Sequence, residues 1–222
     1  SLHTKVVLIS TGGILLIAWA LFMAFEWNNA GTIGNMNAGD KLLNSLFFAV
    51  TPRTAGHYTV DMNYFSDGAY LLTNLLMFVG GCAGSTAGGL KVSRVAILFK
   101  MMRRELRHTL RPRMVDVIKV DGHQLSEQTA HSIVVYFALY MLCVAGLLVA
   151  LSFSPFDLET NLFASVSCFN NVGPGFGMVG PLGNYSPYSP AIKLFLCAGM
   201  LLGRLEIYPM LLLFVPAAWR KK

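Results

Sequence analysis

Two stretches of this chain leave few choices about where it can fold. Val6–Phe25 runs 20 residues without a charge, and Ser132–Phe153 runs 22. About 20 apolar residues in a helix cross a bilayer core of roughly 30 Å. A soluble domain carries charged residues at roughly 25%; here they are 13%, against 55% hydrophobic. The mean hydropathy is +0.56. About half of a water-facing shell is therefore missing, which argues against a soluble enzyme or a disordered regulator. Val6–Phe25 also lacks a small-residue cleavage site and is too long for a signal-peptide core, so it reads as a span.

Charge placement sets an expected topology. Nine of the 17 Lys and Arg lie between Lys91 and Lys119, and Arg220-Lys221-Lys222 close the sequence. Basic residues beside apolar runs point to positive-inside orientation rather than to nucleic-acid binding. The linker and the tail are then expected to be cytoplasmic. Six of the 11 acidic residues, Glu26, Asp40, Asp61, Asp67, Asp157 and Glu159, fall on the outer side. They could concentrate cations there, or serve only as loop charges and caps.

Between the spans lie apolar runs too short to cross. Leu42–Pro52 follows Asp40, which sits where an N-cap would, and Leu158–Phe169 follows Asp157. Such runs are core or re-entrant helices. Each leads into a glycine-bearing stretch, through Gly56 in the first case and Gly173 in the second. Leu46-Phe47 matches Leu162-Phe163 and Val50-Thr51 matches Val166-Ser167, an internal repeat of about 116 residues. Each copy reads as span, short helix, extended stretch, span. The expected fold is an all-α membrane protein of two span–pore-helix–span repeats, like a K⁺ channel. The first repeat is residues 1–113, a cytoplasmic linker is 114–131, and the second repeat is 132–222.

A re-entrant helix ends with unpaired carbonyls near mid-membrane, which favour a cation. Irregular backbone at that depth is tolerated only inside protein or along a wet cavity. Carbonyl rings of this kind replace the hydration shell of K⁺. The candidate filter is Thr54, Ala55 and Gly56 with Asn171, Val172 and Gly173; Gly56 and Gly173 would supply φ > 0.

The second span of the first repeat contains Gly80, Gly81, Gly84, Ser85, Thr86, Gly88 and Gly89 within ten residues. Five glycines there will not hold a helix. A broken helix with its loop in the permeation path is expected, with close small-residue packing as the alternative. Pro190 opens a last apolar segment running to Trp219, carrying Arg204 and Glu206 in its middle. Arg204, with five donors, would satisfy exposed loop carbonyls; the alternative is an anchor for a neighbouring helix. The five histidines have no metal-ligand spacing, and no serine has a His or Asp partner. Cys82, Cys143, Cys168 and Cys197 lie far apart in apolar runs and read as free thiols.

Four motifs together resemble the TrkH family of potassium transporters, within the Trk/Ktr/HKT superfamily: Pro52-Arg53-Thr54-Ala55-Gly56-His57, Gly80 to Lys91, Phe169-Asn170-Asn171-Val172-Gly173-Pro174-Gly175, and Gly203-Arg204-Leu205-Glu206. The resemblance implies K⁺ uptake across a bacterial inner membrane, with K⁺ as substrate at the filter residues and no covalent cofactor. It implies a gate loop, Gly80 to Gly89, held by Arg204. It implies a homodimer of full transporters and a cytosolic nucleotide-binding regulator of the RCK type, similar to TrkA, and no nucleic acid. The family has four repeats, and this chain resembles the third and fourth. It is expected to be a C-terminal half, completed by the N-terminal half or by a second copy. A transporter of Na⁺ or of mixed monovalent cations, and a non-conducting structural subunit, are the competing readings.

Overall fold

The computed structural model describes residues 2–82, 84, 85, 87–111, 119, 120, 123–213 and 219. Thr86, Arg113, most of the linker and the basic tail lie outside the described residues.

The first apolar run forms α1 (Leu2–Glu26). The first short run forms α2 (Ala38–Val50), one turn earlier than its apolar start suggests. Its cap is Asn37, whose side chain accepts from the Asp40 N–H, so Asp40 lies in the first turn rather than at the cap. Ser66 caps α3 (Asp67–Phe78). The chain is then non-helical until α4 (Val92–Leu110). A two-residue antiparallel pair, Lys119–Val120 with His123–Gln124, follows.

The second half begins with α5 (Glu127–Leu151), capped by Ser126, so the span starts inside the stretch expected as linker. Asp157 caps α6 (Leu158–Phe169). Pro190 sits in the first turn of α7 (Pro190–Leu205), where its missing N–H costs nothing. The last segment is not one helix, as the sequence suggested: Glu206 takes φ 67 and separates α7 from α8 (Ile207–Leu213). Pro209 gives the physical reason. In a continuous helix its ring would collide with the Leu205 carbonyl.

α1 and α5 are long and apolar enough to cross a membrane. Their outward residues fit lipid: Ile9 is 75% exposed and Leu142 is 67% exposed. α2 packs on α1, whereas α6 lies between α5 and α7 and also meets α3. Rings join the halves: Phe65 with Phe176, and Tyr70 with both Phe163 and Phe176, at centroid distances of 6.0, 4.4 and 4.2 Å. Glu26 is fully buried, contrary to its expected place at an outer mouth. Its carboxylate accepts from Asn29 Nδ2, Thr32 Oγ1, and the Ser66 N–H and hydroxyl, and so clamps α1 to the start of α3.

Candidate functional site

The two short helices end in matching ways. The Thr51 carbonyl accepts from the Ala55 and Gly56 N–H groups, and the Ser167 carbonyl accepts from the Val172 N–H. Thr51 and Ser167 are the residues aligned by the internal repeat. Beyond them the backbone turns left-handed: Thr54 has φ 70, Gly56 φ 68, Asn171 φ 57 and Gly173 φ 108. Positive φ is easy for glycine and costly for a β-branched threonine, so Thr54 stores strain. Ser167 fixes the second stretch from below. Its hydroxyl accepts from the Gly173 N–H at 3.0 Å and donates to the Pro174 carbonyl at 2.7 Å. Tyr185 donates to the Gly173 carbonyl at 2.9 Å.

The stretches meet. A Cβ built on Gly56 would collide with the Val172 carbonyl oxygen. Ala55 is exposed, while Val172 is buried. Asp157, one helix length away, is exposed; hydrogen bonding from Thr160 holds its carboxyl below the usual carboxylate range. It acts as a cap. Asp61 caps a turn in the same manner, and Asp67 lies in the first turn of α3. The acidic residues are thus largely spent on helix starts.

Between α3 and α4 the glycine-rich loop leaves and re-enters the span direction through a parallel pairing of Val79 with Leu90. The Gly80 N–H donates to the Leu90 carbonyl, the Leu90 N–H to Phe78 and the Val92 N–H to Gly81. Parallel pairing means the chain leaves the loop travelling as it entered. A Cβ on Gly80 would strike the Gly88 carbonyl, which is why the loop neck needs glycine. Gly84 and Gly89 have φ 81 and 73. Thr86 belongs to this loop by sequence but lies outside the described residues.

Among the described residues, two cations other than Arg204 donate to the loop. Lys91 is only 4% exposed, and its ammonium donates to the Ser85 and Ala87 carbonyls at 2.9 and 2.6 Å. Arg53, in the first extended stretch, donates to the Gly80 carbonyl at 2.8 Å. Arg204 is exposed on the last turn of α7 and makes no hydrogen bond to the described residues of the loop. The physical reason is proximity: Lys91 directly follows the loop and folds back under it. Glu206 pairs instead with Arg94 of α4 at 2.8 Å, and the Arg94 guanidinium stacks 4.0 Å above the Tyr136 ring. Arg53 and Lys91 each stand in one of the motifs that resemble the family, but neither motif assigned its cation to the loop, and Arg94 read only as part of the basic stretch.

Two apolar spans, short helices ending in left-handed backbone, and an interrupted partner helix fit a helical membrane protein. The sequence profile of the TrkH family, described as a cation transport protein, matches residues 2–221, and the chain belongs to that family. TrkI of Halomonas elongata, a Trk system potassium uptake protein, is 34% identical over 215 residues, covering 94% of this chain and 42% of that protein. TrkH of Salmonella typhimurium, also a Trk system potassium uptake protein, is 38% identical over 182 residues, covering 81% and 37%. The crystal structure of the potassium transporter TrkH from Vibrio parahaemolyticus matches with a TM-score of 0.83 and 29% identity, over 98% of this chain and 45% of that one. The family and these relatives are transporters, not enzymes. The chain spans about two fifths of the length of the curated relatives it matches.

Proposed function

We propose that the chain forms half of a K⁺ permeation path across a membrane, with Thr54, Ala55, Gly56, Asn171, Val172 and Gly173 supplying carbonyls to the ion. The observation that carries this reading is the meeting of Gly56 with the Val172 carbonyl at the ends of two short helices. The residues at Gly80 to Gly89 act as a gate, closed by Lys91 and Arg53. The path is completed by further span–pore–span repeats, from the same polypeptide or another copy. The membrane is a bacterial inner membrane with the linker cytoplasmic, and the full transporter is a homodimer. Names of the relatives support K⁺ as the substrate. The basic residues Arg103, Arg107 and Arg111 of the α4 end face a cytosolic nucleotide-binding regulator of the RCK type; Arg104 is already engaged by Glu127 at 2.6 Å.

The test is Rb⁺ uptake into proteoliposomes by the complete transporter, with Na⁺ as competitor. Gly56→Ser and Gly173→Ser each force a side chain into φ > 0, at a cost of roughly 1–2 kcal/mol, and turn carbonyls away from the ion. Both are expected to lower Rb⁺ affinity or its preference over Na⁺ by about tenfold, the equivalent of 1.4 kcal/mol. Unchanged affinity and preference in both variants would remove the filter assignment. Equal uptake of Na⁺ by the unaltered protein would favour the mixed-cation reading.

A further inference from the structure

The gate loop rests on the backbone that leads into the second extended stretch. A Cβ on Gly88 would collide with the Asn170 carbonyl oxygen and would lie 3.0 Å from Asn171 Nδ2. A Cβ on Gly89 would lie 3.2 Å from Asn170 Oδ1. The loop glycines are therefore seated directly on the Asn170 carbonyl and on the side-chain amides of both asparagines.

Neither asparagine is free to yield. Asn170 is fully buried; its Nδ2 donates to the Val166 carbonyl at 2.8 Å and its Oδ1 accepts from the Tyr140 hydroxyl. The Asn171 amide donates to the Phe169 and Met200 carbonyls, at 3.3 and 3.1 Å, and so ties the end of α6 to α7. From the other side, a Cβ on Gly203 would strike the Phe169 carbonyl. The end of α6 is thus held by α5, α7 and the loop together. Asn171 is also the left-handed residue from which Val172 and Gly173 continue.

We propose that Asn170 is a positioning residue that couples the gate to the filter through its neighbour Asn171: the seated loop holds the Asn170 carbonyl, and through it the conformation of the Asn171–Gly173 backbone. This rests on the permeation reading above. Coupling between two sites is reciprocal. If the seated loop organises the ion site, ion binding must favour the seated loop. An ion entering from outside then finds a tight site above a closed gate, and unseating the loop both opens the path and weakens the site that must release the ion.

The experiment uses the complete transporter in liposomes. Rb⁺ uptake by the unaltered protein comes first; its absence would remove the permeation reading itself, a failure distinct from that of the coupling. With uptake present, hydrogen exchange of residues 79–91 is compared in K⁺ and in choline. K⁺ is expected to slow exchange in the loop. Gly88→Ala, which replaces no filter residue but unseats the loop from Asn170 and Asn171, is expected to raise the Rb⁺ half-saturation concentration by roughly fivefold or more, the lower end of ordinary coupling between sites. Asn170→Ala is expected to abolish the K⁺ dependence of loop exchange, and Tyr140→Phe to weaken it. A merely structural Asn170 would instead lower the yield of folded protein and loosen α6, with loop exchange in the folded fraction still responding to K⁺. Loop exchange indifferent to K⁺ in the unaltered protein overturns the proposal. So does a Gly88→Ala variant with higher maximal uptake and unchanged half-saturation; this arm decides if Asn170→Ala does not fold.

Discussion

A lysine ammonium with 4% exposure needs partners, and Lys91 finds them in two carbonyls of a loop that has no helix to satisfy it. Leaving a buried carbonyl unpaired costs about 1–3 kcal/mol, so Lys91 and the loop stabilise each other. Lys91→Met keeps the apolar stem and removes the donors. It is expected to raise Rb⁺ uptake per reconstituted molecule severalfold and to speed hydrogen exchange over 79–91, without changing ion preference. Arg204→Ala is expected to move loop exchange much less, because Arg204 donates nothing to the described loop residues. Equal effects of the two variants would return the anchoring role to Arg204. The glycine positions were legible in the sequence, since glycine takes φ 68 at Gly56 or 108 at Gly173 without the strain a Cβ brings. The role of Lys91 was not: it closes the Gly80–Lys91 motif but also opens a basic stretch, and only the folded-back loop shows that its charge is used inside. Nor was Thr54, whose positive φ runs against every preference of a β-branched residue.

The helices themselves follow the sequence closely where length and caps speak together. Ser66, Ser126, Asp157 and Ser189 each cap a helix, accepting from the backbone N–H three residues on. The short helix α6 was readable for this reason, and the span α1 by its length alone. The break at Glu206 was not, because an apolar run masks a proline's reach of four residues. There the left-handed Glu206 is held by Arg94, and Tyr208 donates to the Ser132 carbonyl at 3.3 Å. The break therefore joins the last segment to α4, the helix that leaves the gate loop, and to α5. Removing its cause should restore a continuous helix. Pro209→Ala combined with Glu206→Ala eliminates both the ring clash and the ion pair. The N–H groups of residues 207 and 208 then gain carbonyl partners four residues back, which the first turn of α8 lacks. Their hydrogen exchange is expected to slow by about tenfold or more, equivalent to one ordinary hydrogen bond of roughly 1.5 kcal/mol. Unchanged exchange there would mean that the break is imposed by packing rather than by proline.

The two repeats are alike in sequence and unlike in burial, and the difference says what the whole molecule requires. Val166 on α6 is 0% exposed; its repeat equivalent on α2, Val50, is 42% exposed. Leu43 and Leu46 of α2 are 66% and 40% exposed beside it. α6 is enclosed because α3 of the preceding repeat covers its flank, whereas α2 has no such neighbour among the described residues. Lipid could accept the apolar side chains, but not the irregular backbone that follows α2, where Ala55 and His57 are exposed. Backbone of that kind survives at membrane depth only against protein or water. On the proposed permeation reading, the stripe Leu43–Leu46–Val50 is the flank on which another repeat would close the path, as α3 covers α6. Expressed alone and reconstituted, this chain is expected to give no Rb⁺ uptake above empty liposomes; a chain supplying two further span–pore–span repeats is expected to restore it. A charge desolvated at this seam costs on the order of 2.5–3.5 kcal/mol. Leu46→Arg or Val50→Arg should therefore reduce recovered uptake by about a hundredfold, whereas Leu110→Arg, at the 81% exposed end of α4, should leave it intact. Full complementation by Leu46→Arg would show that the path closes elsewhere, and uptake by the isolated chain would show that two copies complete it.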